Sequence, residues 1–295
     1  MKPLVSILVP VFNHSQFIEE CLDSVLNLDY SNIELVLCDD GSKDDSFEKI
    51  KNWLDKHKSV RAKVLTQENQ GVCKTLNRLI KASSGEYISI CASDDTLTHD
   101  SIQKRCDFLM KHVDKHAVIG DAFVIDDKSN VIHSSAMKAL YSANYDNLKN
   151  NISRELVLRW SVVGPTIMIR RSSYNIIGFY DENLIIEDRE FYLRLLKING
   201  LAFIPTNVAS YRVHNANASR KSINSKLIIS EQVAISNLIH KNEFDLICNV
   251  FLRSHMIDIY FTNLGRNSFI YYSLFIFRVI RRLVFNLFRF YKRFK

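Results

Sequence analysis

An α/β fold, with a mostly parallel, doubly wound sheet flanked by helices, is predicted by two features of the sequence. Five apolar runs alternate with amphipathic helical patterns through residues 1–125, as in chains that build a parallel sheet from strand–helix repeats. Acidic residues gather directly after two of those runs, at the strand ends where open α/β sheets bind ligands.

The elements follow in order. Val5–Val9 is the first strand. In "SQFIEECLDSVLNL", Phe17, Cys21 and Val25, and Ile18, Leu22 and Leu26, recur at four-residue spacing and predict a helix. Ile33–Cys38 is the second strand. "DDSFEKIKNWLDKHK" then places Phe47, Ile50, Trp53 and Leu54 on one face. Its acids come first and its bases last, as the helix dipole favours. Val60–Leu65 and Tyr87–Cys91 are the third and fourth strands, with "GVCKTLNRLIKASSG" as the helix between them. Ala117–Ile125 is the fifth.

After Asp126 the rhythm breaks. "VIDDKSNVI" predicts a hairpin or turn, "VVGPTIMIRR" a strand, and "DREFYLRLLKING" a helix closed by Asn199–Gly200. "LAFIPTNVASYRVH" is further strand, and Ser225 to Leu264 reads as a helical extension.

With 295 residues, 47% hydrophobic and 24% charged, the chain can build a sizeable core and is not disordered by composition. The net charge of +7 is concentrated at one end. Eight of the 39 Lys and Arg residues lie between Gly265 and Lys295, a stretch without Asp or Glu; the remaining 31 bases face 32 acids. A near-neutral body excludes a basic nucleic-acid-binding surface as its main feature and gives the tail a role of its own. The six cysteines form no Cys-x-x-Cys pair, which fits buried free thiols in a reducing cytosol. "MKPLVSILVPVFN" reads as a first strand, not a signal peptide.

The strand ends carry "PVFN" (Pro10–Asn13), "CDDGSKDDS" (Cys38–Ser46) and "ASDD" (Ala92–Asp95). Neither Gly-x-Gly-x-x-Gly nor the P-loop pattern occurs, so a dinucleotide or P-loop phosphate cradle is absent. An acidic crevice needs a divalent cation before it can hold a diphosphate. Taken alone, Asp39–Gly41 also reads as a turn, and Asp94–Asp95 as an N-cap pair for a helix beginning near Thr98.

These segments together resemble family 2 glycosyltransferases with the GT-A fold. "VSILVPVFNHSQFIEECLDSVL", "IELVLCDDGSKDDS", "ENQGVCKTLNRLIKASSGEYI", "SDD", "GPTIMIRRSSYNIIGFYDENL", "EDREFYLRL" and "YRVHNANAS" occur in the family's order, across roughly residues 4–220. The resemblance implies that Pro10, Val11, Phe12 and Asn13 line a nucleoside pocket, and that Asp40 accepts the imide proton of the base, usually uracil. Asn69, Lys74, Ser93 and Asp95 join the nucleotide-sugar site. Asp94 matches the last acid of the Asp-x-Asp motif that holds Mg²⁺ or Mn²⁺ against the diphosphate, while Ala92 replaces the first. Asp188, with Glu187 beside it, matches the general base. His214 matches a histidine that faces the metal, and Arg220 and Lys221 stand where a loop could close over the phosphates.

The organisation this implies is a nucleotide-sugar-binding half (1–125), an acceptor-binding half (126–224), a helical extension (225–264) and a basic amphipathic tail (265–295). On a helix, Arg281, Arg282, Arg289, Lys292, Arg293 and Lys295 fall on the side of Arg278, with aromatic and aliphatic residues around the rest. This pattern fits a helix lying on an anionic membrane. A helix packed on the body or on a second subunit is the alternative.

The expected function is inverting transfer of a sugar, UDP-linked by resemblance, to a hydroxyl of a glycan or lipid-linked glycan, with metal assistance. The expected place is the inner face of the cytoplasmic membrane, in bacterial cell-surface polysaccharide synthesis, with no nucleic-acid partner. The rival is a non-catalytic sugar-nucleotide-binding or scaffold protein, which Ala92 alone supports. A nucleotidyltransferase would need a Gly-rich basic loop after the first strand, and "PVFNHSQF" has none.

Overall fold

The computed structural model describes residues 2–214 and 222–289. Arg220 and Lys221, and residues 290–295 of the tail, lie outside the described residues. In chain order the first part runs β1 (Val5–Val11), α1 (Ile18–Leu26), β2 (Ile33–Asp39), α2 (Ser46–Lys56), β3 (Ala62–Thr66), α3 (Val72–Ala82) and β4 (Tyr87–Ile90). There follow β5 (Thr96–Leu97), α4 (Ser101–Lys111), β6 (Ala117–Ile125), β7 (Val131–His133), and the short helices α5 (Ala136–Tyr141), α6 (Tyr145–Asn150) and α7 (Ile152–Leu158). Then come β8 (Met168–Arg170), α8 (Tyr174–Ile177), α9 (Asp188–Lys197), β9 (Leu201–Arg212), α10 (Ile223–Ile239), α11 (Leu246–Arg253), α12 (Met256–Leu264) and α13 (Ser268–Arg289).

One sheet takes the order β3-β2-β1-β4-β8-β6-β9-β5, with β7 paired to β6. β3, β2, β1 and β4 are mutually parallel, and so are β6 and β9. β8 runs antiparallel to both β4 and β6, and β5 caps the edge antiparallel to β9. Val5, Ile7, Leu8 and Val9 of β1 are all buried, the continuous apolar run that a central parallel strand needs when both faces are covered. β2 and β4 flank β1, so the chain order reverses there. The crevice beyond the carboxyl ends of β1 and β4 is the topological switch point.

The strands expected from the five apolar runs appear as β1, β2, β3, β4 and β6. α9 ends as the Asn199–Gly200 pair predicts. Asn199 adopts φ 53°, and the N–H groups of Asn199 and Gly200 return to the carbonyls of Leu196 and Leu195, a Schellman closure. Two expectations differ. Asp94 and Asp95 do not cap a helix, because α4 begins at Ser101 after Asp100. Helices α5, α6 and α7 were not foreseen; their N-caps, Ser135, Asn144 and Asn151, each accept a backbone N–H.

The tail helix α13 also departs from its expected placement. Ile270 and Leu274 are buried beside Leu227, and Phe285 meets Phe251 edge-on at 5.1 Å. Arg278 and Arg281, expected to face lipid, point instead at Asp258, which is 2% exposed. Arg281 Nη1 lies 2.5 Å from Asp258 Oδ2 and Arg278 Nε 2.9 Å from Oδ1. The outward side of α13 carries Phe269, Tyr272, Phe275, Ile276, Leu283 and Leu287, all more than half exposed. Among the described residues no helix is long and apolar enough to cross a membrane.

Burial alone would raise the Asp258 carboxyl, but its hydrogen bonds and ion pair with Arg281 hold it below the ordinary value. Its stabilising contribution is therefore present above the ordinary carboxylate range and is lost as pH falls through the depressed value. Asp258→Ala leaves the half-buried guanidinium of Arg281 uncompensated. It is expected to cost about 3 kcal/mol, read as a lower melting temperature and as proteolytic release of the segment after Gly265.

Candidate active site

The site begins where β1 ends. Asn13 takes φ 55° and turns the chain, locked by Ser42 Oγ accepting from its N–H (3.0 Å) and by Lys43 N–H donating to its Oδ1 (2.7 Å). The next residue, His14, donates its N–H to Ser46 Oγ. Its Nδ1 lies 2.8 Å from Ser93 Oγ and 3.7 Å from Asp94 Oδ1. On the other side His214 Nε2 is 3.0 Å from Asp94 Oδ2. His14, Asp94 and His214 thus form a compact candidate metal cluster, with ligand atoms within 4.8 Å of one another. Two donors at right angles about a cation, with bonds of about 2.1 Å, lie about 3 Å apart, so the Asp94–His214 spacing fits a shared ion. Burial, then the neighbouring His214, lowers the pKa of His14 against the opposing pull of Asp94. Its imidazole is therefore neutral, the state that can ligate.

Asp95 does not face this cluster. It is buried and accepts the backbone N–H of Arg212 at 2.8 Å. Burial, then the charge of Asp94, pushes its carboxyl well above the ordinary range. Arg212 in turn donates to the Asp94 carbonyl and to Glu20, and lies over the ring of Phe17, which itself packs against His214 at 4.7 Å.

Asp40, at the end of β2, is buried and already accepts three hydrogen bonds. Gln67 Nε2 and the Gln70 N–H reach Oδ1, at 2.7 and 2.9 Å, and the Gly71 N–H reaches Oδ2 at 2.9 Å. One acceptor position of the carboxylate remains for a ligand. Asp39 Oδ1 is buried without a hydrogen-bond partner among the described residues. The turn after them needs Gly41: at φ 73° an added Cβ would lie 2.8 Å from the Asn69 nitrogen. Gly41, Ser42, Lys43, Gln67, Glu68 and Asn69 line an open cleft of about 670 Å³. Phe12 is 43% exposed beside this end of β1, and Lys74 is exposed on the first turn of α3.

Glu187 and Asp188 open α9. Asp188 Oδ1 accepts the Arg189 N–H at 2.5 Å, and the Trp160 side chain donates to the same carboxylate. Arg189 is buried, fixed by Asn237 Oδ1 and by the carbonyls of Leu156 and Val157, and lies over the Trp160 ring at 4.9 Å. Burial raises the Asp188 carboxyl, opposed by Arg189 and Trp160. Burial and then the charge of Asp188 push Glu187 up to about 7. The hydroxyl of Tyr141 is raised by burial and then by the charges of both Asp188 and Asp95. His14, Tyr141, Trp160 and Arg212 were missed in the sequence. Only His14, directly after "PVFN", carried a signal, its adjacency to a strand end.

A family profile described as Glycosyl transferase family 2 matches residues 6–178. The chain is 32% identical over 197 residues to an uncharacterised glycosyltransferase of Haemophilus influenzae, covering 66% of this chain and 72% of that one. It is 29% identical over 225 residues to one from Rickettsia typhi, covering 76% and 68%. It is 27% identical over 222 residues to a chondroitin synthase of Escherichia coli, of which it spans 30%. Its fold is shared with Staphylococcus aureus TarS 1–349 solved with UDP-GlcNAc (TM-score 0.63, 18% identity, 90% of this chain and 74% of that). It is shared too with a mannosyltransferase from Pyrobaculum calidifontis solved with GDP-Man and Mn²⁺ (TM-score 0.66, 15% identity, 99% and 89%). The fold is that of GT-A glycosyltransferases, and the chain belongs to glycosyl transferase family 2.

Asp40→Asn would set an amide N–H₂ or a weaker acceptor against donors that now meet a carboxylate. The expected loss is about 1–3 kcal/mol of stability, with the Gln70 and Gly71 amides exchanging at least about ten-fold faster in hydrogen-exchange measurements. Unchanged exchange there would show that the loop is held by something else.

Proposed function

We propose that this glycosyltransferase moves a sugar from a nucleotide-diphosphate sugar, UDP-linked, to a hydroxyl of a glycan or lipid-linked glycan, in a single inverting displacement. What supports the reading is the placement of Asp40 after β2 and of Asp94 after β4, at the carboxyl ends of strands that flank β1, with His214 Nε2 3.0 Å from Asp94 and the raised Glu187–Asp188 pair at the start of α9. Asp40 accepts from the base N–H. Pro10 to Asn13 and Asn69 flank the nucleoside, while Ser93 and Lys74 stand near the diphosphate and sugar. A divalent cation, Mg²⁺ or Mn²⁺, held by Asp94 and His214, supplies positive charge against the departing diphosphate. Arg220 and Lys221 are proposed to add to that charge.

Asp188 takes the proton from the acceptor hydroxyl. The acceptor oxygen forms its bond to the anomeric carbon as the bond from that carbon to the diphosphate oxygen breaks, with the electron pair leaving on the diphosphate. The Arg189 N–H and the Trp160 N–H hold the carboxylate so that its free oxygen can meet the acceptor. Trp160 and Tyr141 offer the acceptor side an aromatic wall.

Asp188→Asn is the test. It should keep sugar-nucleotide affinity within a few-fold and lower kcat by at least about 10³-fold, since proton acceptance is removed with shape nearly preserved. The raised carboxyls set the pH dependence. A protonated base cannot accept, and burial raises Asp188, so kcat/KM should begin to fall at a pH above the ordinary carboxylate range of about 4. Near-normal turnover in Asp188→Asn would sink the assignment of the base, whereas no transfer or hydrolysis of any sugar nucleotide by the unaltered chain would favour the non-catalytic role.

We also propose that residues 265–295 rest on an anionic membrane at its cytoplasmic face. The apolar outer side of α13 supports this, and exposed Leu246, Met256 and Tyr260 on α11 and α12 extend it. Because Asp258 engages Arg278 and Arg281, burial of this face outweighs charge in the attraction. Flotation with vesicles containing phosphatidylglycerol should therefore show binding that weakens with salt but persists. Leu283→Glu with Leu287→Glu should reduce it by at least about ten-fold while sugar-nucleotide affinity holds. Equal binding by the double variant would refute the membrane role.

A further inference from the structure

The cluster at Asp94 holds one more imidazole than the motif residues supply. We infer that His14 is a third protein ligand of the cation, and that it biases the site toward Mn²⁺ over Mg²⁺. The inference rests on the metal-assisted reading above and goes beyond it in naming a ligand and a metal preference.

Position comes first. β1 and β4 are adjacent parallel strands, so the residues that follow them share one mouth. His14 follows the first and Asp94 the second. The left-handed turn at Asn13 and the bond from the His14 N–H to Ser46 Oγ fix where the imidazole starts. Ser93 Oγ lies 2.8 Å from Nδ1, a hydrogen bond that this nitrogen would give up on ligating a cation. That same nitrogen is 3.7 Å from Asp94 Oδ1, on the opposite carboxylate oxygen from the one His214 Nε2 meets at 3.0 Å. The three donors come from three separate places, the ends of β1, β4 and β9, which is how a site is enclosed rather than decorated. Phe17 packs on His214 and stands edge-on to His14 at 6.3 Å, so both rings rest on one aromatic support.

Charge and donor type give the preference. Ala92 provides no carboxylate, and Asp95 is committed to the Arg212 N–H. One carboxylate and two imidazoles remain. Mg²⁺ favours oxygen donors and keeps its waters, whereas transition-metal cations accept imidazole nitrogen readily. In this chain the missing acid is thus offset by nitrogen, and His14 sets which ion is held.

The experiment uses the full chain, stripped with EDTA and free of sugar nucleotide. Free Mn²⁺ is followed by its EPR signal on titration with MnCl₂, and MgCl₂ is added as competitor. The wild type is expected to bind Mn²⁺ at least about ten-fold more tightly than Mg²⁺. His14→Ala and His14→Gln should each weaken Mn²⁺ by about ten-fold while changing Mg²⁺ by less than about three-fold. Spin-echo modulation of bound Mn²⁺ should show two imidazole nitrogens in the wild type and one in His14→Gln, a readout that a merely structural role would not move. No Mn²⁺ binding by the wild type, an unchanged preference in both variants, or a single imidazole coupling in the wild type overturns the inference. Binding of UDP-sugars, measured separately by calorimetry, reports on the glycosyl-transfer reading. Sugar-nucleotide binding with a His14-independent Mn²⁺ site defeats only the ligand assignment. A His14-dependent Mn²⁺ site without sugar-nucleotide binding defeats only the donor reading.

Discussion

A guanidinium with no solvent exposure must find a protein partner for its N–H groups, and Arg212 is such a group. Its partners come from three parts of the chain: the Asp94 carbonyl, Glu20 on α1, and the Asp126 carbonyl and Ser129 in the turn between β6 and β7. Its own backbone N–H goes to Asp95. The end of β9, the segment after β4, α1 and the hairpin are thereby tied to one residue. Because His214 lies two residues on and Asp94 is bonded through its carbonyl, the approach of these two side chains to 3.0 Å follows from how this arginine is satisfied. Glu20 sits at the water-exposed end of the network and balances the charge. Lysine could not serve here, since a single ammonium has neither the reach nor the fork of donors.

The parts of the fold that were legible in the sequence are those with a strict period. β1, β2 and α1 to α3 follow from apolar spacing because each is buried on the faces that spacing predicts. The segment from Ala136 to Leu158 was not legible, because α5, α6 and α7 are too short for a period to emerge. Their signal is instead three side-chain caps, Ser135, Asn144 and Asn151, which the sequence shows but does not rank. In the candidate site, Asp94, Asp188 and His214 were singled out through motif order, and the structure brings Asp94 and His214 to 3.0 Å. His14 was not, because its role depends on β1 and β4 being neighbours. The tail misled because a helical wheel shows which residues share a face and not what lies opposite. Asp258 stands earlier in the chain, outside the acid-free stretch, and turns two arginines inward.

The two acidic centres differ in their neighbours. Asp94 meets two imidazoles, with His214 Nε2 at 3.0 Å and His14 Nδ1 at 3.7 Å. At α9 two carboxylates are adjacent; burial and then the charge of Asp188 raise Glu187, while Arg189 and Trp160 oppose the rise of Asp188. In the proposed reaction the first centre would hold charge and the second would accept a proton, two tasks that a displacement keeps apart in space.

β8 deserves a last consideration for its place in chain order. Three residues, Met168–Arg170, fill the gap between β4 and β6, pairing with Tyr87–Ser89 on one side and Ala117–Val118 on the other. Until they have been synthesised, the sheet exists as two pieces. Unpaired strand edges recruit other chains, so the emerging protein is expected to associate wrongly most readily from the completion of β6 until β8 and then β9 have covered its two edges. Three residues join the two halves of the sheet, and the far side of β6 stays open until Leu201–Arg212 follow.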